Sequence, residues 1–403
     1  MSAASPGSGR PAPPPPSSGD VVADEELTAT VLAILRAAGL EAVGVTTSAP
    51  FTGTRRHLEE RRAAGLHGGM AFTYRNPARS TEPARVVDGA HSVVVGALGY
   101  ARRPPAEGGG GDVAMGPVAV GRVARYAWRD YYADLTGALE KGATVLRAAG
   151  HSATVVADSN ALVDREAARR AGLGWYGRNS NLLLPGRGSW FVLGSVVTDA
   201  VLTPSVPVEP ACGACTRCLG SCPTGAIVAS GVIDARRCLA WLLQASGPFP
   251  WEWRAALGDR MYGCDDCQEV CPPNIVAEHR SPSPPAEDGA RASVALAMFL
   301  DPDDDAVVAA ARRWYVPQRQ ARYLRRNALV VLGNVGDASD REVVALVEQA
   351  LLDADPLVRG HAVWAAARMG RPELAELLVA TEADPMVREE LDRAADVVAR
   401  IHR

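Results

Sequence analysis

All eight cysteines of this 403-residue chain lie within one stretch of sixty residues. They read Cys212-x2-Cys215-x2-Cys218-x3-Cys222-Pro223, then Cys238, then Cys264-x2-Cys267-x3-Cys271-Pro272. This is the spacing of a two-cluster bacterial ferredoxin, stretched in its second half. Thiolates two residues apart reach different irons of one cubane, and the fourth cysteine of a run ligates the other cluster. On that pattern one [4Fe–4S] cluster takes Cys212, Cys215, Cys218 and Cys271. The other takes Cys222, Cys238, Cys264 and Cys267. A chain built around such a pair moves electrons one at a time.

Four disulfides are the alternative for a cysteine-dense secreted chain, and C-x2-C is also zinc spacing. The length of the chain, the lack of a secretory leader and the proline after each run weigh against disulfides. The successive x2 and x3 gaps weigh against zinc. Cluster ligation implies a reducing compartment. No apolar run is long enough to cross a bilayer, so the expected location is the cytoplasm. The formal net charge of −4 rules out a global basic field as the route to a nucleic-acid partner.

The cluster module, residues 211–280, occupies a small part of the chain. Residues 1–20 are Pro, Ser and Gly with almost no apolar content and are expected to be a disordered tail. From 21 to 210 short apolar runs (Ala42–Thr46, Ser92–Leu98, Thr154–Ala157, Trp190–Val197) alternate with helical periodicity (Gly53–Ala64, Tyr132–Ala149, Val163–Ala171). Strands interleaved with helices predict an α/β or α+β domain. The insertion Arg102–Gly116, with PP and GGGG, reads as a flexible loop. A Pro-rich linker, 281–292, leads to a helical tail, 293–403. There Arg326–Leu332 recurs as Arg359–Ala365, and the Asp-Pro pairs at 355–356 and 384–385 precede helices. A period near thirty residues resembles HEAT-type repeats.

The densest upstream chemistry is Asp158-Ser159-Asn160-Ala161-Leu162-Val163-Asp164-Arg165-Glu166, followed by Ala171-Gly172-Leu173-Gly174-Trp175-Tyr176-Gly177-Arg178-Asn179. Asp158 comes directly off an apolar strand, where sites often form; taken on its own it reads first as the N-cap of the following helix. Asp164 and Glu166 read as solvent-facing helix charges and Trp175 as core. The three glycines would let the backbone approach a bulky ligand.

These residues carry a resemblance. Asp158–Gly194, the cysteine runs, Tyr262-Gly263-Cys264-Asp265-Asp266-Cys267-Gln268, His67-Gly68-Gly69-Met70-Ala71, and Arg125-Tyr126 with Asp130-Tyr131 closely resemble the epoxyqueuosine reductases. One departure is Arg178, where the family often carries lysine. The resemblance implies a nitroreductase-like cobalamin-binding domain, a ferredoxin-like di-cluster module and HEAT-like helical repeats, an α+β chain overall. It implies reduction of epoxyqueuosine to queuosine at the wobble position of tRNA, with cobalamin beside two [4Fe–4S] clusters. It assigns the proton donor to Asp158 and corrin contacts to Tyr126, Asp130, Asp158, Gly177, Asn181 and Ser189. An ordinary aspartate is ionised at neutral pH, so Asp158 must be desolvated to serve as an acid.

The implied partners are an epoxyqueuosine-containing tRNA anticodon stem-loop and an external electron donor, met by a monomer away from membranes. The segment Arg312–Asn327 holds six arginines and three aromatics in sixteen residues. Arg312, Arg313, Arg319, Arg322, Arg325 and Arg326 are the candidate phosphate contacts, with Arg236 and Arg237 a second set. Trp314 and Tyr323 read as repeat core. Two other functions stay open on sequence grounds: a corrinoid reductive dehalogenase, and a ferredoxin-type carrier with a repeat-built docking surface.

Overall fold

The structure, a computed structural model, describes residues 23–104 and 119–401. The N-terminal tail, residues 1–20, and the part of the 102–116 insertion from residue 105 onward lie outside the described residues.

The upstream domain is organised by a four-stranded antiparallel sheet. Its strands Ala42–Thr47, Ser92–Gly99, Phe191–Thr198 and Ala153–Ala157 neighbour one another in that spatial order. The two central strands are apolar on both faces because both faces are covered. On one face the helices Glu25–Ala37 and Tyr131–Ala148 bring Val31, Leu35, Leu135, Leu139 and Leu146 onto Val94 and Val196. On the other, Ala167 and Ala168 of the short helix Asp164–Arg170 join Phe51 over Val93, Val95 and Val197. Asp24 caps the first helix by accepting a hydrogen bond from the Leu27 N–H at 2.8 Å, a contact typically worth about 1 kcal/mol.

A second, three-stranded sheet joins distant parts of the chain. Val120–Val123 pairs in parallel with Arg260–Tyr262 and antiparallel with Ser293–Ala295. The cluster module is thereby stitched to the upstream domain on one side and to the start of the repeats on the other. The segment expected to be a free linker is strapped down. Arg103 bridges to Pro285, and Ser283 is hydrogen-bonded to Glu278.

Beyond it the helix Pro356–Arg368 packs between Ala321–Val335 and Pro385–Ile401, and Arg341–Leu351 also packs against it. Asp355 and Asp384 cap the helices that begin at Pro356 and Pro385, accepting from the Leu357 and Met386 N–H groups. Proline at the first turn forfeits no intrahelical bond. One continuous apolar core runs from Leu239, Phe249 and Met261 of the cluster module through Phe299 and Trp314 to Leu329, Val358 and Val387 of the repeats.

Candidate active site

All eight cysteines are free thiols, so the disulfide alternative fails. Among the described residues, no three His, Cys, Asp or Glu side chains are gathered tightly enough for a single metal ion. A cubane is a larger body and needs its thiolates farther apart. Burial pushes the Cys264 thiol up to about 12 and the Cys271 thiol up to about 11. Next in effect on Cys271 comes Cys212, with Cys218 and Cys215 also contributing. Cys267, also raised first by burial, feels Cys264, Cys238, Cys218 and Cys222. These neighbours are compatible with the two quartets that the spacing implies, Cys212, Cys215, Cys218 and Cys271 in one and Cys222, Cys238, Cys264 and Cys267 in the other.

Backbone and side-chain donors already point at these sulfurs. The Ala226 N–H lies 3.2 Å from Cys222 Sγ, and Asn181 Nδ2 lies 3.9 Å from Cys267 Sγ. Hydrogen bonds to sulfur, with burial, are what tune cluster potentials. Trp175 packs with Leu183 against Cys271, as core.

The second quartet forms one wall of a cavity of about 930 Å³, lined by Cys222, Cys238, Cys264 and Cys267. The other wall comes from the upstream domain and carries Tyr126, Tyr132, Asp158 and Asp164, with Asn181 and Ser189 lining the cavity beside Cys267 and Gln268. That volume is near the top of the roughly 300–1,000 Å³ typical of ligand pockets. The loop after Tyr176 is what joins the two walls. Asn179 donates to the Cys267 carbonyl at 3.0 Å, while Ser189 Oγ and Tyr100 OH both approach Gln268 Oε1, at 2.9 and 3.3 Å. Gly263, at φ 72°, precedes the cluster ligand Cys264; a Cβ there would meet Ala124 at 2.5 Å and Tyr126 at 3.0 Å.

Asp158 ends the strand Ala153–Ala157 and holds a left-handed backbone, φ 47°. It is not a helix cap: the helix that follows has Val163 at its N-cap, with no side-chain cap bond. Its side chain is 51% exposed, and the partial burial that the cavity gives it raises its pKa above the ordinary value. Arg313, arriving from the repeats, pulls the other way. It places Nη2 3.2 Å from Asp158 Oδ2 and also grips Asp130.

Several expectations need correcting. Asp130 does not line the cavity; it caps the helix Tyr131–Ala148 by accepting from the Ala133 N–H and is held by Arg313. Gly177 does not line it either; it opens the turn that closes when the Ser180 N–H donates to the Gly177 carbonyl. The neighbouring glycines make room for protein, not ligand: a Cβ on Gly172 would meet the Val206 carbonyl at 2.2 Å, and one on Gly174 the Leu183 carbonyl at 2.0 Å. Asp164 and Glu166 are not solvent-facing. Glu166 is buried and paired with Arg169, and Asp164 faces the cavity with its Oδ1 enclosed and without a hydrogen-bond partner. Sequence reasoning missed Asp164 because helix phase cannot tell which surface becomes a cavity wall.

The basic segment divides. Arg312, Arg313 and Arg319 are exposed and Arg322 is half-buried. Arg325 and Arg326 are buried and cannot follow phosphates: Arg325 binds Asp304 and the Asp301 carbonyl, and Arg326 binds the carbonyls of Ala245, Gly247 and Leu242. Trp314 and Tyr323 are buried, as read from the pattern; Trp314 stacks on Tyr262 with ring centroids 4.6 Å apart. Arg236 is exposed but committed to Asp234.

Paired cubane sites opening onto a large cavity, with an acid on the opposite wall, define a reductase fed by single electrons. The comparisons with known proteins specify which. A profile described as a 4Fe-4S double cluster binding domain matches residues 211–274, and one for HEAT repeats matches residues 318–395. The epoxyqueuosine reductase of Xanthomonas campestris pv. campestris is 34% identical over 86% of this chain and 97% of its own length. That of Bacillus anthracis is 28% identical over 93% and 98%. A crystal structure of an epoxyqueuosine reductase with a tRNA-Tyr epoxyqueuosine-modified stem loop superposes at TM-score 0.80, with 28% identity over 93% of this chain and 99% of that one. The Streptococcus thermophilus enzyme gives 0.79 at 25% identity, over 93% and 99%. The chain belongs to the epoxyqueuosine reductase family and is an oxidoreductase.

Proposed function

We propose that this protein reduces epoxyqueuosine to queuosine in a tRNA anticodon stem-loop, with cobalamin held in the cavity between the second cysteine quartet and Asp158. The observation that carries the reading is that cavity: thiols for a cluster on one wall, an acid with a raised pKa on the other. Its size and its mixed lining of tyrosines, amides and apolar side chains suit a large macrocycle. When bound, the clusters and the corrin supply the two electrons and the carbon-directed reducing chemistry. The protein's own residues do the rest. Asn181 and Ser189 would help hold the corrin, while Tyr126 and Tyr132 line the cavity and exclude water. Asp158 protonates the departing epoxide oxygen. Arg313 must release Asp158 before that acid can hold its proton, which ties readiness of the site to what happens at the repeat surface. Exposed Arg312 and half-buried Arg322 are the phosphate contacts that remain once the buried arginines and the carbonyl-bound Arg319 are set aside.

The test is Asp158→Ala. Cluster absorbance and cobalamin binding should be retained, while turnover of an epoxyqueuosine-bearing stem-loop falls by about 100-fold or more, the usual worth of a positioned acid. Reduction at the full rate in that variant would show that Asp158 is not the proton donor. Failure of the wild-type chain to bind cobalamin would remove the cavity assignment.

A further inference from the structure

Converting an epoxide to an alkene and water consumes two electrons and two protons, and Asp158 can hold only one proton. A second carboxyl stands on the same wall. Asp164 opens the helix Asp164–Arg170, and its Oδ1 is sealed from solvent with no hydrogen-bond partner. A buried carboxylate oxygen without a donor is costly; a protonated carboxyl relieves that cost and turns an acceptor into a donor. The groups facing it are few. Asp158, from the end of the neighbouring strand, bears on it as a like charge, and the Arg165 guanidinium and its own backbone N–H oppose. Tyr132, from the helix Tyr131–Ala148, feels both carboxyls. Glu166 is engaged by Arg169, and Arg313 holds Asp158 on its far side. Burial first, and Asp158 second, raise the Asp164 carboxyl well above the ordinary range. Two carboxyls lining one cavity resist joint ionisation, so Asp164 keeps its proton once Asp158 has given its own.

We infer that Asp164 is the proton-holding partner of Asp158: each carboxyl starts turnover with one proton, Asp158 gives its own to the departing oxygen, and Asp164 then passes its proton to Asp158. In that step the O–H bond of Asp164 breaks and that of Asp158 re-forms, with no change in electron count. Asp158 meets the substrate; Asp164 is a positioning residue that acts through it. The inference rests on the role proposed for Asp158.

The test uses the full chain with reconstituted clusters. Infrared difference spectra across neutral pH should contain a protonated-carboxyl C=O band that Asp164→Asn removes, Asp164→Glu restores and Asp158→Asn leaves in place. In turnover, Asp164→Asn should lower kcat by about 10- to 100-fold, leave KM nearly unchanged and move the alkaline limb of the kcat profile to lower pH. A band that survives Asp164→Asn, or that disappears only with Asp158→Asn, overturns the inference, as does an unaltered kcat with an unaltered alkaline limb. Should Asp164→Asn not fold, loss of the band in Asp158→Asn still overturns it and persistence there supports it. If the wild-type chain does not reduce epoxyqueuosine, the parent reading fails while the infrared result continues to judge Asp164.

Discussion

Arg313 is the cation that pairs with Asp158 among the described residues. It carries a cation from the repeats to within 3.2 Å of the acid and binds Asp130 with the same guanidinium. A cation beside a carboxyl favours the ionised form, so the resting contact works against proton donation. Arg313→Ala should therefore raise the Asp158 pKa further and push the alkaline limb of the rate profile to higher pH, opposite in sign to Asp164→Asn; a pH–rate series on the two variants side by side checks this. Asp158 was legible in the sequence because a long motif surrounds it. Asp164 was not, although it is six residues away. Its neighbours on the chain are helix-like, and only the fold decides that its side chain closes a cavity rather than meeting water.

At the scale of elements, the helix Ala321–Val335 is the instructive case. Arginines at helical spacing looked like a phosphate track. The structure turns Arg326 inward, where burial drops its pKa to about 9 and the carbonyls of Ala245, Gly247 and Leu242 hold its guanidinium. Those carbonyls belong to the segment after Cys238. Arg326→Met should leave them without a donor and destabilise the protein by about 3 kcal/mol, read by thermal unfolding. Iron content should fall with it as the Cys238 segment loosens. The four strands of the upstream sheet were readable from short apolar runs, with bounds that agree to within one residue; those of the three-stranded sheet were not. The order of the four was not, because the pairing of Ser92–Gly99 with Phe191–Thr198 is a long-range fact with no local signal.

For the molecule as a whole, the boundary at 281–292 is covalent and compositional, not mechanical. The core continues across it from Met261 to Phe299, Trp314 and Leu329, and Arg254 of the cluster module forms a buried ion pair with Glu390 near the far end of the repeats, at 2.6 Å. A chain ending at residue 292 should expose that core and precipitate; a soluble, cluster-loaded fragment would contradict the continuity. Breaking one side of a buried ion pair typically costs about 3–5 kcal/mol, so Arg254→Ala should loosen the same junction.

His361 adds a pH term there. Buried, it accepts from the Phe249 N–H through Nε2 at 3.1 Å while Nδ1 meets the Leu357 carbonyl at 2.7 Å, and burial lowers its pKa well below the usual value. Because the folded pKa lies under the unfolded one, its stabilising contribution is complete above about pH 6.5 and is lost as pH falls below it. His361→Gln should flatten the thermal stability curve across that window.

The cysteine spacing alone determined that this chain binds paired cubanes, and the length of its motifs determined the family, because ligand sets and turn chemistry are written locally along the chain. Only the tertiary structure decided which acids face the cavity, which arginines meet solvent, and that repeats and cluster module share one core. Burial is a property of what other segments cover, and no residue carries that information in its own neighbourhood.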